Sequence, residues 1–296
     1  MTVNLTAAPA LEKRTWTWRG YEIAYTAEGS GQPLLLLHGF GASMGHWRQN
    51  IPAIAQAGYQ VWAIDLLGFG ASAKPAIAYS LELWQEQIQD FWQEYLQKPT
   101  IFVGNSIGGL LSLKITADLP EIAAGAVLIN CAGGLNHRPE ELNFPLRLVM
   151  GAFTQLVSAP VIGKFVFENV RRKSQIRRTL YQVYRDRNAV TDELVELLYQ
   201  PSCDVGAQQV FAAILSAPPG PKPEELLPQL QHPLLVLWGE ADPWTPISGA
   251  KIYQQLAAST DSKAEFYPIP GAGHCPHDEN PQTVNRLIVD WLQRNL

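Results

Sequence analysis

The sequence predicts an α/β fold, a mostly parallel, doubly wound sheet interrupted by a helical insertion. Apolar runs bounded by turn residues recur along the chain, Pro33–His38 and Pro233–Trp238 being the clearest, as expected of strands covered on both faces. Amphipathic helical patterns alternate with these runs, which is the signature of βαβ units. The alternation then stops over residues 135–225, roughly 90 positions that are too long for a structureless loop.

Thr15–Trp18 and Tyr21–Thr26 begin the series as an antiparallel pair at the sheet edge. Pro33–His38 is the first fully buried strand and Gln60–Asp65 the next. Leu81–Leu96 repeats apolar residues three and four apart behind Ser80, a helix with an N-cap. Thr100–Gly104 and Ala126–Asn130 are strands, with an apolar helix between them. In the insertion, Phe144–Phe167, Gln175–Tyr184, Thr191–Tyr199 and Ala207–Leu215 read as helices, closed by a Pro/Gly cluster at Ala217–Pro223. Pro233–Trp238 and Ala264–Ile269 complete the sheet. Pro281–Leu296 ends the chain as a helix with Val284, Leu287, Ile288, Trp291 and Leu292 on one face. The expected division is a core in 1–134 and 226–296 and a helical cap in 135–225. No internal repeat is visible.

Composition narrows the function. The 296 residues are 47% hydrophobic and 17% charged, a globular balance that argues against disorder, collagen and coiled coil. The net charge of −5 argues against a nucleic-acid partner. Cys131, Cys203 and Cys275 are widely spaced and odd in number, so neither a disulfide framework nor a metal site is expected. The first residues lack the basic start and apolar core of a signal peptide, and no apolar run is long enough to span a bilayer, which predicts a cytoplasmic protein.

The chemistry concentrates at Gly104-Asn105-Ser106-Ile107-Gly108, a G-x-S-x-G between a strand and an apolar helix. That context makes a nucleophile elbow, in which flanking glycines let the chain turn sharply and project the hydroxyl. A serine hydroxyl needs a base within reach, and the base needs an orienting acid. The base candidate is His274, between glycines and just after the last strand, with His277 as runner-up. The acid candidate is Asp242, following the strand Pro233–Trp238, with Glu240 as competitor. Asp65 also ends a strand but precedes the serine, so its expected role is structural, holding the Gly68–Ser72 turn. An oxyanion hole should combine the backbone N–H of Ile107 with one from the loop His38–Ser43, that of Phe40. His38, Asn105, Leu148, Val149 and Phe153 are the candidates for the substrate pocket and lid. Neither a dinucleotide fingerprint nor a phosphate loop occurs, so no cofactor and no metal are expected.

Taken together, the strand with HGF, DLLGFGAS, GNSIGG, WGEADPWTP and GAGHCPHDE resembles the α/β-hydrolase superfamily over nearly the whole chain. GNSIGG, WGEADPWTP and above all GHCPHDENP are similar to the pheophytinase and chlorophyll dephytylase group of plants and cyanobacteria. The resemblance implies a triad of Ser106, His274 and Asp242. It also implies hydrolysis of the ester joining phytol to chlorophyll or pheophytin. The start of the chain, without a transit peptide, looks bacterial and cyanobacteria-like. Haloalkane dehalogenases and epoxide hydrolases, similar in their cap, carry Asp at the elbow where this chain has Ser106. A general esterase for hydrophobic esters, a cofactor-free peroxidase or lyase on the same triad, and a non-catalytic ligand-binding protein are the alternative readings.

The cap adds one expectation about partners. Leu148–Gly163 carries no charged residue and is broken by Pro160, so it suits an apolar pocket or a membrane surface rather than a span. Lys164–Arg187 then holds eight Lys/Arg against Glu168 and Asp186. An apolar segment beside a basic one is the pattern of a peripheral membrane contact, at a photosynthetic membrane if the substrate is a pigment.

Overall fold

Every residue of β3, Pro33–Leu37, is buried, and successive side chains enter opposite cores. Leu34 and Leu36 pack in one apolar cluster, Leu35 and Leu37 in the other. A strand that is apolar throughout therefore needs a helical layer on each side. The computed structural model describes residues 11–136, 138, 157 and 159–296 and provides both layers.

The eight strands are β1 (Arg14–Trp18), β2 (Tyr21–Gly29), β3, β4 (Gln60–Ile64), β5 (Thr100–Asn105), β6 (Ala123–Ile129), β7 (Leu234–Gly239) and β8 (Ala264–Ile269). They lie in the order β1-β2-β4-β3-β5-β6-β7-β8. β1 pairs antiparallel with β2, and β2 with β4, while every other pairing is parallel. Strand assignments from sequence agree with this sheet to within a few residues at the ends. The antiparallel edge is anchored by its tryptophans, whose indole N–H groups donate to Glu94 (Trp16, 2.7 Å) and Asp90 (Trp18, 2.7 Å).

Helix α1 (Ile51–Gln56) and the C-terminal helix cover the Leu34 face, and α2 (Leu81–Phe91) and α3 (Ile107–Asp118) cover the Leu35 face. Ser80 caps α2 by accepting from the N–H of Leu83 at 3.2 Å. The expected helix Leu81–Leu96 is an α-helix only to Phe91. It widens over Trp92–Leu96 and stops where Gln97 turns left-handed at φ 52°. The chain leaves β3 toward one layer and β5 toward the other, so the connections diverge at the carboxyl ends of these neighbouring strands. This is the switch point at which ligands bind in open α/β sheets.

Between β6 and β7 the described residues form α4 (Pro160–Val170), α5 (Lys173–Val183), α6 (Asp192–Ser202) and α7 (Ala207–Leu215), the helical cap. They carry a small apolar cluster of their own, Leu180, Val183, Tyr184, Val190, Leu194 and Val195, joined by Cys275 of the core. The first part of the expected helix Phe144–Phe167 lies outside the described residues. After the cap come α8 (Pro223–Leu226), α9 (Lys251–Ala257), α10 (Pro276–Glu279) and α11 (Pro281–Asn295).

Helix α3 is buried from Ile107 to Ala117, as expected of a helix apolar all round. Its approach to the sheet has no room for side chains at two positions. A Cβ on Gly104 would lie 2.0 Å from the carbonyl oxygen of Gly108, and one on Gly108 would lie 2.2 Å from that of Leu37. Both obstacles are backbone and cannot move aside alone. Gly108→Ala is expected to destabilise the protein by about 1–3 kcal/mol, the usual cost of overpacking. Urea unfolding with an unchanged midpoint would contradict that packing.

Candidate active site

Ser106 sits between β5 and α3 at φ 57° and ψ −120°, a backbone conformation that a residue with a Cβ rarely adopts. Such strain costs on the order of 1–3 kcal/mol and persists only where the surroundings over-determine it. Here the Ser106 N–H donates to the Ile129 carbonyl (3.0 Å), and the Ser106 carbonyl accepts from Leu110 (3.1 Å) and Ala132 (3.0 Å). Its hydroxyl makes no hydrogen bond to a described residue.

Two further loops meet it at the carboxyl edge. Gly39, after β3, lies so close that its added Cβ would be 3.3 Å from Ser106 Cβ. His274, after β8, is held at both backbone polar groups. Its N–H donates to the Val183 carbonyl (2.9 Å), and its carbonyl accepts from the Asn105 side chain (3.0 Å). Asn105 also donates to the Ile129 carbonyl at 3.1 Å, so the residue beside Ser106 ties the serine turn to the histidine loop.

His274 Nδ1 donates to Asp242 Oδ2 at 2.7 Å, with the histidine 5% and the aspartate 4% exposed. With Nδ1 carrying the proton, Nε2 of the neutral ring is left as an acceptor. It makes no hydrogen bond to a described residue, and such contacts commonly tighten only around substrate. Asp242 accepts from Asn130 Nδ2 (2.7 Å), from the Trp244 and Thr245 N–H groups (2.7 and 3.1 Å) and from the Thr245 hydroxyl. Burial pushes its carboxyl up, but the hydrogen bond and charge of His274, with Thr245 and Trp244, outweigh that and hold it below the usual carboxylate range.

The competitors go elsewhere. Glu240 is exposed, and fully buried His277 packs on the Trp47 ring at 4.3 Å. Asp65 is 1% exposed and accepts from the Ala71 N–H (2.7 Å), holding the Gly68–Ser72 turn as expected, and also from the Met44 N–H (2.6 Å), which ties that turn to the loop after β3. Burial raises its carboxyl to about 6, against the pull of those bonds.

The N–H groups of Phe40 and Ile107 have no acceptor among the described residues, and Ile107 opens α3, where N–H groups are unpaired. The first is aimed from behind. His38 Nδ1 donates to the Gly39 carbonyl (2.8 Å), and the Ala42 N–H donates to the same oxygen (3.2 Å). In a trans peptide the C=O and N–H point opposite ways, so fixing the Gly39 oxygen turns the Phe40 N–H outward. His38 Nε2 in turn accepts from the Leu66 N–H at 3.1 Å. The sequence groups His38 and Asn105 with the substrate pocket. The structure instead buries both, with the His38 ring and the Asn105 Nδ2 bonded to backbone and the Asn105 Oδ1 accepting from the Cys275 thiol, so they support the site from inside. Leu148, Val149 and Phe153 lie outside the described residues.

Beside Phe40, between core and cap, is a cavity of about 80 Å³ whose lining includes Phe40, Phe69, Phe167, Leu198, Val210 and Phe211. Among the described residues no group of three His, Cys, Asp or Glu could hold a metal ion. Sequence reasoning missed Asn130 and Thr245 as partners of Asp242. The Asp242-Pro-Trp-Thr245 order, which lets a carboxylate cap its own turn, was a legible signal for the second.

The chain matches the alpha/beta hydrolase family over residues 34–287. It is 28% identical to chloroplastic pheophytinase of Arabidopsis thaliana, over 92% of this chain and 63% of that one, so it spans less than two thirds of the plant protein. It is also 28% identical to 2-hydroxymuconate semialdehyde hydrolase of Pseudomonas sp. (strain CF600), over 89% of this chain and 88% of that one. Among solved structures, the meta-cleavage product hydrolase from Pseudomonas fluorescens IP01 superposes with a TM-score of 0.74 at 26% identity, covering 96% of this chain and 98% of that one.

Protonating His38 would set a new N–H against the Leu66 N–H in a site without water contact. Burial, first, and the charge of His46 lower its pKa to about 4, against the bond to Gly39. A base held below its ordinary 6.5 contributes stability that is complete above pH 6.5 and lost as pH falls toward 4. That loss is on the order of 3 kcal/mol. His38→Gln, which keeps a donor and an acceptor but takes up no proton, is expected to flatten this limb. Urea unfolding midpoints measured from pH 4.5 to 7 check it. An identical slope in wild type and variant contradicts it.

Proposed function

The chain belongs to the alpha/beta hydrolase family, and from that premise we propose that this hydrolase is a serine carboxylic-ester hydrolase whose triad is Ser106, His274 and Asp242. The observation that carries the reading is Ser106 at φ 57° in a turn whose Asn105 side chain bonds to the backbone of His274, a buried histidine whose Nδ1 bonds to Asp242 at 2.7 Å. His274 Nε2 takes the hydroxyl proton as Ser106 attacks the ester carbonyl. The Phe40 and Ile107 N–H groups hold the oxyanion, each donor being worth roughly 10²–10³ in rate. His274 returns the proton to the departing alcohol, and the same nitrogen then activates the water that frees the acid. Asp242, kept ionised, stabilises the imidazolium that forms in both halves.

The substrate we propose is a phytyl ester of a tetrapyrrole, chlorophyll or pheophytin. Similarity to pheophytinase and the GHCPHDENP segment support it, and so does the aromatic cavity beside Phe40, which suits an apolar group. A general esterase for hydrophobic esters is the second reading, because a relative named for a semialdehyde substrate matches at the same 28% identity. We place the core in residues 1–134 and 226–296 and the cap in 135–225.

We place the protein at the surface of a photosynthetic membrane. No described helix is long and apolar enough to cross one. On α4, however, Val161 is 82% and Phe165 75% exposed, next to exposed Lys164 and Arg172. This combination suits the interface of an anionic bilayer.

Incubation with chlorophyll a and pheophytin a in detergent, followed by chromatography, should yield dephytylated pigment from the wild type only. Turnover of a p-nitrophenyl ester without pigment cleavage would keep the mechanism and discard the substrate. Ser106→Ala, His274→Ala and Asp242→Asn should each lose about 10³-fold or more in kcat, and combining them should add little, as for residues that act as a unit. Full activity in Ser106→Ala, or no labelling of Ser106 by a fluorophosphonate, would sink the mechanism and favour a ligand-binding protein. Flotation with phosphatidylglycerol-containing vesicles, lost in Phe165→Ser, would support the membrane contact. Equal flotation of wild type and variant would refute this use of α4.

A further inference from the structure

The cap reaches the catalytic loop in an unexpected way. Where α5 ends, residues 183–186 run alongside residues 273–279, and three hydrogen bonds join the two segments. The Val183 carbonyl accepts from the His274 N–H at 2.9 Å. This approach is so close that a Cβ on Gly273 would lie 2.0 Å from the Val183 oxygen, so glycine is required there. The Tyr184 hydroxyl donates to Asp278 Oδ2 at 2.8 Å. Glu279 accepts from the Asp186 N–H at 2.7 Å and, with its other oxygen, from the Gly273 N–H.

The Tyr184–Asp278 contact lies deep in the protein. Tyr184 is 3% and Asp278 2% exposed. Asp278 is paired with Arg48 at 2.8 Å, and the Tyr184 oxygen accepts from His46 Nε2 at 2.7 Å. Thus one tyrosine from the cap completes a buried charged group built by two core loops, four residues after His274. Buried ion pairs add little net stability compared with apolar packing of the same volume, but they fix one arrangement in space.

We propose that Tyr184 is a positioning residue for His274, acting from the cap through the Asp278–Glu279 turn. The proposal rests on the reading of His274 as the general base. The turn of residues 275–279 hangs directly from His274, whose ring Asp242 orients and whose backbone, among the described residues, is held by Val183 and Asn105. Releasing Tyr184 frees one side of that support. A shift of about 1 Å in a catalytic group can cost up to roughly 10²-fold in rate. It also follows that this edge of the cap belongs to the catalytic frame. Any opening of the cap over the substrate must hinge away from residues 183–186.

The test uses the purified full chain, a p-nitrophenyl ester of a long-chain acid and a fluorophosphonate probe, at a temperature well below each variant's Tm. Tyr184→Phe should lower kcat and the rate of Ser106 labelling about tenfold together, with KM within twofold of wild type. A lowered Tm with unchanged kcat and labelling rate would mean that the tyrosine only stabilises the fold, and overturns the proposal. If Tyr184→Phe does not fold, Glu279 decides. In Glu279→Ala, which removes both acceptors, a similar joint loss of kcat and labelling rate at unchanged KM supports the proposal, and wild-type rates in the folded variant overturn it. A wild type that is not labelled at Ser106 overturns the nucleophile reading, and the present proposal with it. A labelled wild type with unaffected variants overturns this proposal alone.

Discussion

The site depends on one strained backbone turn. Ser106 holds φ 57° because the end of β6, helix α3 and the loop after β6 all grip its peptide groups. The grip requires backbone-to-backbone contact, which only Gly104 and Gly108 permit. Once the turn is set, the hydroxyl stands at the carboxyl edge of β5 and the Ile107 N–H opens α3 beside it. Asn105 turns the other way and fastens the His274 loop. The proposed nucleophile, one proposed oxyanion donor and the anchor of the proposed base are thus three consecutive residues of a single turn.

Burial assigns different chemistry to side chains of the same type. His38, His274 and His277 are all buried. His38 is locked in one tautomer by a carbonyl on one nitrogen and an N–H on the other, so it stays neutral and aims a peptide. His274 meets a carboxylate on one nitrogen and leaves the other free, the arrangement that a general base needs. His277 lies among Trp47 and His46, where burial drives its pKa well below the ordinary value. The aspartates divide in the same way. Burial raises Asp65 to about 6 against its two backbone donors, while at Asp242 a histidine, a threonine and a backbone N–H outweigh burial and lower it. Position at a strand end is common to both. The partners decide which one works with an imidazole.

The cap contributes to both sides of the site. Phe167 of α4 and Phe211 of α7 wall the cavity beside Phe40, with ring centroids 5.4 Å apart. The end of α5 and the residues after it are stitched to the histidine loop. The same insertion therefore shapes the space for an apolar group and holds part of the frame that acts on it.

The sequence by itself determined the sheet, its two faces and the chemically important turns. Fully apolar strands, alternating helices and a G-x-S-x-G flanked by a strand and a helix are local patterns, and their physical causes lie within a few residues. The proposed triad of Ser106, Asp242 and His274 follows from local patterns because each residue lies shortly after a recognisable strand. Only the tertiary structure decided what supports them. His38 acts on a peptide rather than a substrate, Asn130 and Thr245 satisfy the acid, and Tyr184 reaches Asp278 across 94 positions of chain. Apart from the Asp242–Thr245 turn, no local pattern encodes these contacts. They arise because a buried polar group must find a partner from whichever segment folding brings within about 3 Å.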